Sequence, residues 1–253
     1  MRLHCARAVH RVKQLDMEPD EYALMDVAEA RMWWYRALHA RLADALRGVT
    51  GRVLDAGCGT GGLLSVLRGK PALELVGVEY SPVAAWRARE KSTAPVAGGS
   101  VNALPFADAT FDALIAADVL CHAGVDPKAA LAEFSRVLRP GGRLIVNMPA
   151  YGWLTSAHDR RVHNARRQNA REVRTMLASG GFAQVQARYW NFLLLPLMVV
   201  QRKLLAVGGD KKSDVAVFPP WLDATLHGVT VLERSLPFPL PAGGSVLATA
   251  TRS

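Results

Sequence analysis

The sequence predicts a doubly wound α/β fold with a mostly parallel sheet that helices cover on both faces. Two observations predict it. Short apolar runs typical of buried strands alternate with helical patterns over residues 50–150, and a glycine-rich turn directly follows the first of these runs. The 253 residues suffice for one such domain with additions, and a hydrophobic content of 50% excludes a disordered chain.

The predicted elements follow a regular order up to Pro149. A helical pattern covers 22–47, and further helices are predicted at 63–67, 84–91 and 127–138. Strands are predicted at 52–56, 73–79, 111–117 and 143–147. Because a helix lies between each of these strands and the next, we expect the strands to run parallel.

Beyond Pro149 the pattern changes. A polar and basic stretch at 151–168 precedes a helix that begins at Asn169, since Asn169 and Glu172 have capping-box spacing, and that ends at Gly180. The remaining predicted elements are a strand at 182–189, helices at 192–205 and 221–236 with a loop at 208–213, and a strand at 245–251. We expect one domain with an N-terminal helical segment (1–48), a core (49–150), and a lid, cap helices and the last two strands (151–253).

Charge and cysteine content set limits on partners and location. The net charge of +9 leaves open a nucleic acid, an anionic membrane surface or an acidic substrate. The three cysteines, Cys5, Cys58 and Cys121, lack metal-ligand spacing and are too few for a disulfide scaffold. The most apolar stretch, 192–200, is shorter than the about 20 residues that span a bilayer. We expect a cytoplasmic protein and leave peripheral membrane contact open.

The most informative segment is the glycine loop at 57–62. Gly57, Gly59 and Gly61 follow a strand and precede a helix, so the backbone can turn tightly beside a ligand and offer N–H groups to it. Glu79 ends the next strand, where an acid accepts hydrogen bonds from a ribose diol. The third glycine comes one residue too early for a dinucleotide fingerprint, and no Lys-Ser/Thr pair follows. The sequence therefore predicts an adenosine-containing ligand other than a dinucleotide or a nucleoside triphosphate.

Four ordered motifs resemble those of the class I S-adenosylmethionine-dependent methyltransferases. The branch that the chain resembles is type 11, a small-molecule group that includes quinone-biosynthesis enzymes. The motifs are the loop 55–61, the strand end 78–81, the stretch 99–106 with Thr110-Phe111-Asp112, and the turn 138–144. The resemblance covers about residues 50–150. It implies a Rossmann-like sheet of seven strands with N-terminal helices and, here, a helical cap near the C-terminus.

The resemblance also implies a cofactor site. The cofactor would be S-adenosyl-L-methionine, with S-adenosyl-L-homocysteine as the product, and no metal is expected. Ser100 stands where many relatives have an Asp on the adenine amino group, and the backbone of Asp118 would hold the cofactor amino group. The implied contacts are Asp55, Gly57, Cys58, Gly59, Gly61, Glu79, Tyr80, Ser81, Ser100, Val101, Asn102 and Asp118.

The substrate side is less constrained by the sequence. Three histidines are candidate general bases, because an oxygen, nitrogen or carbon acceptor has to lose a proton: His122, His158 and His163. Candidate substrate contacts are Trp33, Trp34, Tyr151, Arg166 and Arg167. The alternatives also stand: a histidine that caps a helix, tryptophans that pack in the core, and arginines on a solvated helix face.

These observations favour methyl transfer to a small, hydrophobic and anionic biosynthetic intermediate that is lipid-, isoprenoid- or natural-product-like. A nucleic-acid methyltransferase is an alternative suggested by the charge, but Asp118–His122 lacks the Asn/Asp-Pro-Pro-aromatic motif of adenine-amino enzymes. A non-catalytic, membrane-associated module is the other alternative.

Overall fold

A seven-stranded sheet organises the computed structural model, which describes residues 25–29, 31–156, 159–160, 162–203 and 218–253. The strand order is β3-β2-β1-β4-β5-β7-β6, with β7 antiparallel to both β5 and β6 and the other pairings parallel. The strands are β1 (Gly51–Ala56), β2 (Leu73–Glu79), β3 (Val96–Gly98), β4 (Phe111–Ala117), β5 (Leu138–Pro149), β6 (Phe182–Trp190) and β7 (Ser245–Arg252). The predicted fold class is confirmed.

Helices cover both faces of this sheet. They are α1 (Trp33–Ala45), α2 (Gly62–Leu67), α3 (Pro82–Ser92), α4 (Pro127–Val137), α5 (Ala170–Ser179), α6 (Leu195–Lys203) and α7 (Pro220–Arg234). Consecutive side chains of a strand pack into hydrophobic clusters on opposite faces of the sheet. Val53 packs with α1 and α2, whereas Leu54 packs with α4 and α5. This alternation is what a sheet buried on both faces requires. None of the described helices is long and apolar enough to cross a membrane.

The N-terminal helix is shorter than the pattern predicts. The expectation of one helix over 22–47 is wrong, because a helical stretch at 25–28 ends before α1 begins at Trp33, and residues 22–24 lie outside the described part. Between the two, the Glu29 carboxylate accepts hydrogen bonds from Thr60 Oγ1 at 2.7 Å and from Lys91 Nζ at 2.8 Å. These bonds hold the segment against the glycine loop, and the chain then turns into α1.

Three other element boundaries differ from the predictions. β3 lies in a segment predicted to be a loop, since its three residues carry no alternation. β5 begins at Leu138, directly after α4, so the predicted turn before this strand is part of it. α6 begins at Leu195 rather than at 192, and the predicted loop 208–213 lies outside the described residues. The capping box of Asn169 and Glu172 at the start of α5 is confirmed.

A buried carboxylate on α7 connects this helix to α1 and to the loop that follows β6. Glu233 on α7 forms an ion pair with Arg41 on α1 at 3.0 Å, and its side chain is 1% exposed. It also accepts hydrogen bonds from the backbone N–H groups of Asn191, Phe192 and Leu193 at 2.6–3.0 Å. One side chain thus fixes α1, α7 and the loop between β6 and α6.

We expect Glu233→Ala to lower the free energy of unfolding by about 3–5 kcal/mol, because a buried guanidinium and three backbone donors lose their acceptor. The matched control is Glu90→Ala, whose carboxylate is half-exposed and 3.7 Å from Arg87. The control should cost less than about 1 kcal/mol. Urea unfolding followed by circular dichroism measures both, and equal losses would contradict the role given to Glu233.

Candidate active site

A cavity of about 350 Å³ lies at the carboxyl ends of β1, β2 and β4. Its cofactor half is lined by the glycine loop and the neighbouring strand ends, namely Asp55, Gly57, Cys58, Gly59, Glu79, Tyr80, Gly99 and Val101. Its cap half is lined by Trp33, Trp34, Asp159, Arg167, Asn191, Met198, Gln201, Arg202, Phe218 and Ser245. Asp118 and His122, which follow β4, also line it. This volume is in the range of small-molecule sites.

The glycine loop has the backbone conformation that only glycine adopts easily. Gly57, Gly59 and Gly61 have φ values of +80°, +55° and +86°. A Cβ added to Gly61 would lie 2.7 Å from the backbone of Ala88, so the loop also needs glycine for close packing against α3. The Glu79 carboxylate accepts hydrogen bonds from the backbone N–H groups of Gly59 at 2.9 Å and Ser81 at 3.0 Å. Glu79 is therefore held beside the loop.

Three buried acidic side chains, Asp55, Glu29 and Glu79, lie close together in the cofactor half. Burial raises the pKa of Asp55 to about 8, and the carboxylates of Glu29 and Glu79 raise it further. Asp55 Oδ2 has no hydrogen-bond partner among the described residues. Burial, with the same three acids, also raises the pKa of the Cys58 thiol. A cationic ligand with N–H donors would satisfy this arrangement, and S-adenosylmethionine carries both a sulfonium and an ammonium group, so the residues fit it.

Five of the other implied cofactor contacts divide into two groups. Val101 and Tyr80 line the cavity. Ser100, Asn102 and Ser81 do not appear among its lining residues and instead support the loops: Asn102 N–H donates to Ser100 Oγ, and the Asn102 amide bridges to Gly124 and Asp126.

Asp118 and His122 lie between the two halves. Asp118 has a left-handed backbone with φ +54°, and Asn147 Nδ2 donates to its carboxyl at 2.9 Å. Burial raises the pKa of Asp118 to about 7, with Asp159 adding to the rise. Burial lowers the pKa of His122, whereas hydrogen bonds with the backbone of Val162 and Asp118 oppose this shift. Of the two candidate bases that the structure describes, His122 lines the cavity and His163 does not.

The other candidates lie elsewhere. His158 is outside the described residues. His163 has φ +53° and accepts a hydrogen bond from Ala123 N–H through its backbone oxygen at 2.8 Å, and it is not among the lining residues. Tyr151 stacks on Trp153 and Tyr189 with ring centroids 5.8 and 5.5 Å apart. Burial and the hydrogen bond with Tyr189 raise the pKa of Tyr151 to about 12.

The two adjacent arginines have different roles. Arg167 lines the cavity and pairs with the buried carboxylate of Asp159 at 2.8 and 2.9 Å, whereas Arg166 turns away and donates to the backbone oxygen of His122. Arg202 of α6 lies 3.9 Å from the same carboxylate. Although burial opposes ionisation, Arg167 holds the pKa of Asp159 below its ordinary value. The Arg202 guanidinium also donates to the backbone oxygen of Leu154 at 2.9 Å.

Sequence reasoning missed several lining residues, among them His39 and Asn191. Burial lowers the pKa of His39 to about 4, with Lys91 adding to the shift. His39 could have been noticed, because it lies beside Leu38 and Leu42 on the apolar face of a predicted helix. Asn191 gave no signal, because its position depends on Glu233, which is 42 residues away.

Known proteins share this core. Residues 54–146 match the family model of a methyltransferase domain, type 11. A demethylmenaquinone methyltransferase from Renibacterium salmoninarum is 35% identical over 153 residues, which cover 54% of this chain and 64% of the relative. The chain spans between about a third and two thirds of the length of four such curated relatives.

Two solved structures have a similar fold. A methyltransferase from Thermotoga maritima matches with a TM-score of 0.62 and 19% identity, over 92% of this chain and 96% of that one. A geranyl diphosphate C-methyltransferase from Streptomyces coelicolor matches with a TM-score of 0.59 and 16% identity, over 87% and 76%. The matched residues 54–146 are those of a class I S-adenosylmethionine-dependent methyltransferase domain. Within that class, this segment matches the type 11 branch.

We expect Asp55→Asn to stabilise the ligand-free protein more at pH 8 than at pH 5. Between the ordinary pKa of 3.8 and the folded value of about 8, the unfolded chain loses the Asp55 proton while the folded protein keeps it. The free energy of unfolding of the wild-type protein therefore falls as pH rises through this window, and asparagine removes that loss. Melting temperatures at both pH values test this, with a gain of a few degrees at pH 8.

The control for this experiment is Asp108→Asn, because the Asp108 carboxylate is 77% exposed. Its effect on the melting temperature should be nearly the same at the two pH values. An equal effect of Asp55→Asn at pH 5 and pH 8 would show that the folded protein does not raise the pKa of the Asp55 carboxyl.

Proposed function

We propose that this protein transfers the methyl group of S-adenosylmethionine to a small apolar molecule that carries an anionic group. The observation that carries the proposal is a cavity in which the glycine loop and Glu79 lie opposite a cap half that combines apolar walls with two arginines. A bound cofactor supplies an electrophilic methyl group on a sulfonium sulfur. The residues of the chain have to hold the acceptor in line with that methyl group and exclude water.

The cap half supports the substrate class. Trp33, Met198 and Phe218 give it apolar walls, and Trp33 is buried against Leu194 and Leu226. Arg167 and Arg202 line this half, and guanidinium groups bind carboxylate and phosphate groups through charge-assisted hydrogen bonds. The Streptomyces coelicolor neighbour is named for an isoprenoid diphosphate, which is a molecule of this kind.

His122 is the proposed general base for an acceptor that has to lose a proton. His122 lines the cavity, and burial lowers the pKa of its ring below the ordinary value, so the neutral form is present at pH 7. A neutral imidazole accepts a proton, whereas a charged one does not.

Glu79→Ala tests the cofactor assignment. Calorimetric titration with S-adenosylmethionine and S-adenosylhomocysteine should show binding to the wild-type protein and about 10- to 100-fold weaker binding to the variant, because hydrogen bonds to a charged group are lost. The matched control is Glu74→Ala on the same strand, whose side chain is 64% exposed. Mass spectrometry of cell extracts incubated with methyl-labelled cofactor should then report the labelled product. Unchanged affinity in Glu79→Ala would remove the ribose assignment, and no binding to folded wild-type protein would reject the function.

Arg202→Gln tests the anionic group. With the protein saturated in S-adenosylhomocysteine, we expect 2-naphthoate to bind more tightly than the neutral 2-naphthamide, and the difference to fall about 5- to 10-fold in the variant. Arg166→Gln is the control, because the Arg166 guanidinium faces the backbone oxygen of His122 and does not line the cavity. Equal binding of the acid and the amide to the wild-type protein would contradict an anionic substrate.

A further inference from the structure

We infer that Asn191 and Trp33 form a subsite in the cap half that selects substrates bearing a hydroxyl group. This inference rests on the proposed function and narrows its substrate class. Four residues that line the cavity have a buried polar atom without a partner among the described residues: Asp55 Oδ2, His39 Nδ1, Trp33 Nε1 and Asn191 Oδ1. The last two belong to the cap half.

An unpaired polar atom at such a depth requires an explanation. Asn191 is 0% exposed and Trp33 is 8% exposed. Buried polar groups in folded proteins are paired in about nine cases out of ten, because leaving one unpaired costs its full desolvation. A ligand that supplies the missing partners accounts for both atoms.

The remaining groups of Asn191 are satisfied. Its backbone N–H donates to Glu233 at 2.6 Å, and its backbone oxygen accepts from Gly244 N–H at 3.2 Å. Its side-chain amide donates to Met198 Sδ at 3.3 Å. Because a thioether sulfur accepts hydrogen bonds and does not donate them, this contact fixes the orientation of the amide and leaves Oδ1 as the unpaired acceptor.

The backbone conformation of Asn191 is also strained. Its φ is +62°, in the left-handed region, and the three bonds to Glu233 hold it there. Gly244 leaves the room that the amide needs, since a Cβ at that position would lie 2.8 Å from Met198 Sδ and 3.4 Å from Asn191 Nδ2. Strained backbone held by buried contacts is common at sites that bind ligands.

Trp33 belongs to the same wall of the cavity. It packs in one cluster with Leu194, which follows Asn191 by three residues, and with Leu226 of α7. Its backbone N–H donates to Asp223 at 2.6 Å, which fixes the start of α1. The indole Nε1–H is a donor that cannot be turned towards another partner without moving this packed ring.

One acceptor and one donor match the chemistry of a hydroxyl group. A hydroxyl group donates to Asn191 Oδ1 and accepts from Trp33 Nε1, whereas an ether only accepts and a hydrocarbon does neither. Neither protein atom titrates near neutral pH, so both residues recognise and position the substrate and take no proton from it. The substrate is therefore an apolar molecule with a hydroxyl group as well as the anionic group.

Matched ligand pairs test this subsite by calorimetry on protein saturated with S-adenosylhomocysteine. The pairs are 6-hydroxy-2-naphthoate with 6-methoxy-2-naphthoate, and geraniol with geranyl methyl ether. Wild-type protein should bind the alcohol of at least one pair about tenfold more tightly than its ether. Asn191→Gly, which tolerates the left-handed backbone, and Trp33→Phe, which keeps a ring, should reduce this preference to about twofold or less.

Two variants serve as controls. Asn191→Asp keeps an acceptor oxygen and should retain the preference, and Trp86→Phe makes the same indole-to-phenyl change at a half-exposed position outside the cavity. Melting temperatures verify that each variant is folded. The subsite is rejected if no alcohol is preferred or if the preference persists in Asn191→Gly. Failure of S-adenosylhomocysteine to bind would reject the proposed function instead, and the ligand pairs are then titrated into the cofactor-free protein.

Discussion

The buried carboxylate of Glu233 is the interaction on which the cap half of the cavity depends. It forms an ion pair with Arg41 on α1, and it accepts hydrogen bonds from three consecutive backbone N–H groups between β6 and α6. Arg41 in turn lies 4.7 Å from the ring of Trp190, the last residue of β6. Removing a charge from water is expensive, so this arrangement is favourable only when every donor around Glu233 is in place. The N-terminal helix and the cap are therefore expected to order together.

Acidic side chains lie in one half of the cavity and guanidinium groups in the other. Asp55, Glu79 and Glu29 crowd the glycine loop, whereas Arg167 and Arg202 lie in the cap half beside Asp159. In the proposed function, a cation bound at the glycine loop would lower the pKa values of these acids and keep them ionised, so this distribution favours a cation at that end and an anion at the other. The same crowding destabilises the ligand-free protein, which is a common compromise at sites built for binding.

The sequence alone predicts the parts of the molecule that depend on local contacts. Val53-Leu54 followed by the glycine loop, and Glu79 at the end of β2, are short-range patterns, and the structure has both elements in those places. β3 could not be found, because a three-residue edge strand is defined by its partner β2 and not by its own residues. The sequence also could not predict that only one of Arg166 and Arg167 lines the cavity. The orientation of Arg167 depends on Asp159, and that of Arg166 depends on the backbone oxygen of His122.

The burial of Cys58 has a consequence for a protein that holds a methyl donor. The thiol lies in the glycine loop and lines the cavity, so in the proposed function it is a potential nucleophile close to an alkylating reagent. Only the thiolate attacks such a carbon. Burial and the neighbouring carboxylates raise the pKa of Cys58, and they therefore favour the protonated thiol, which is the form that does not attack a methyl donor.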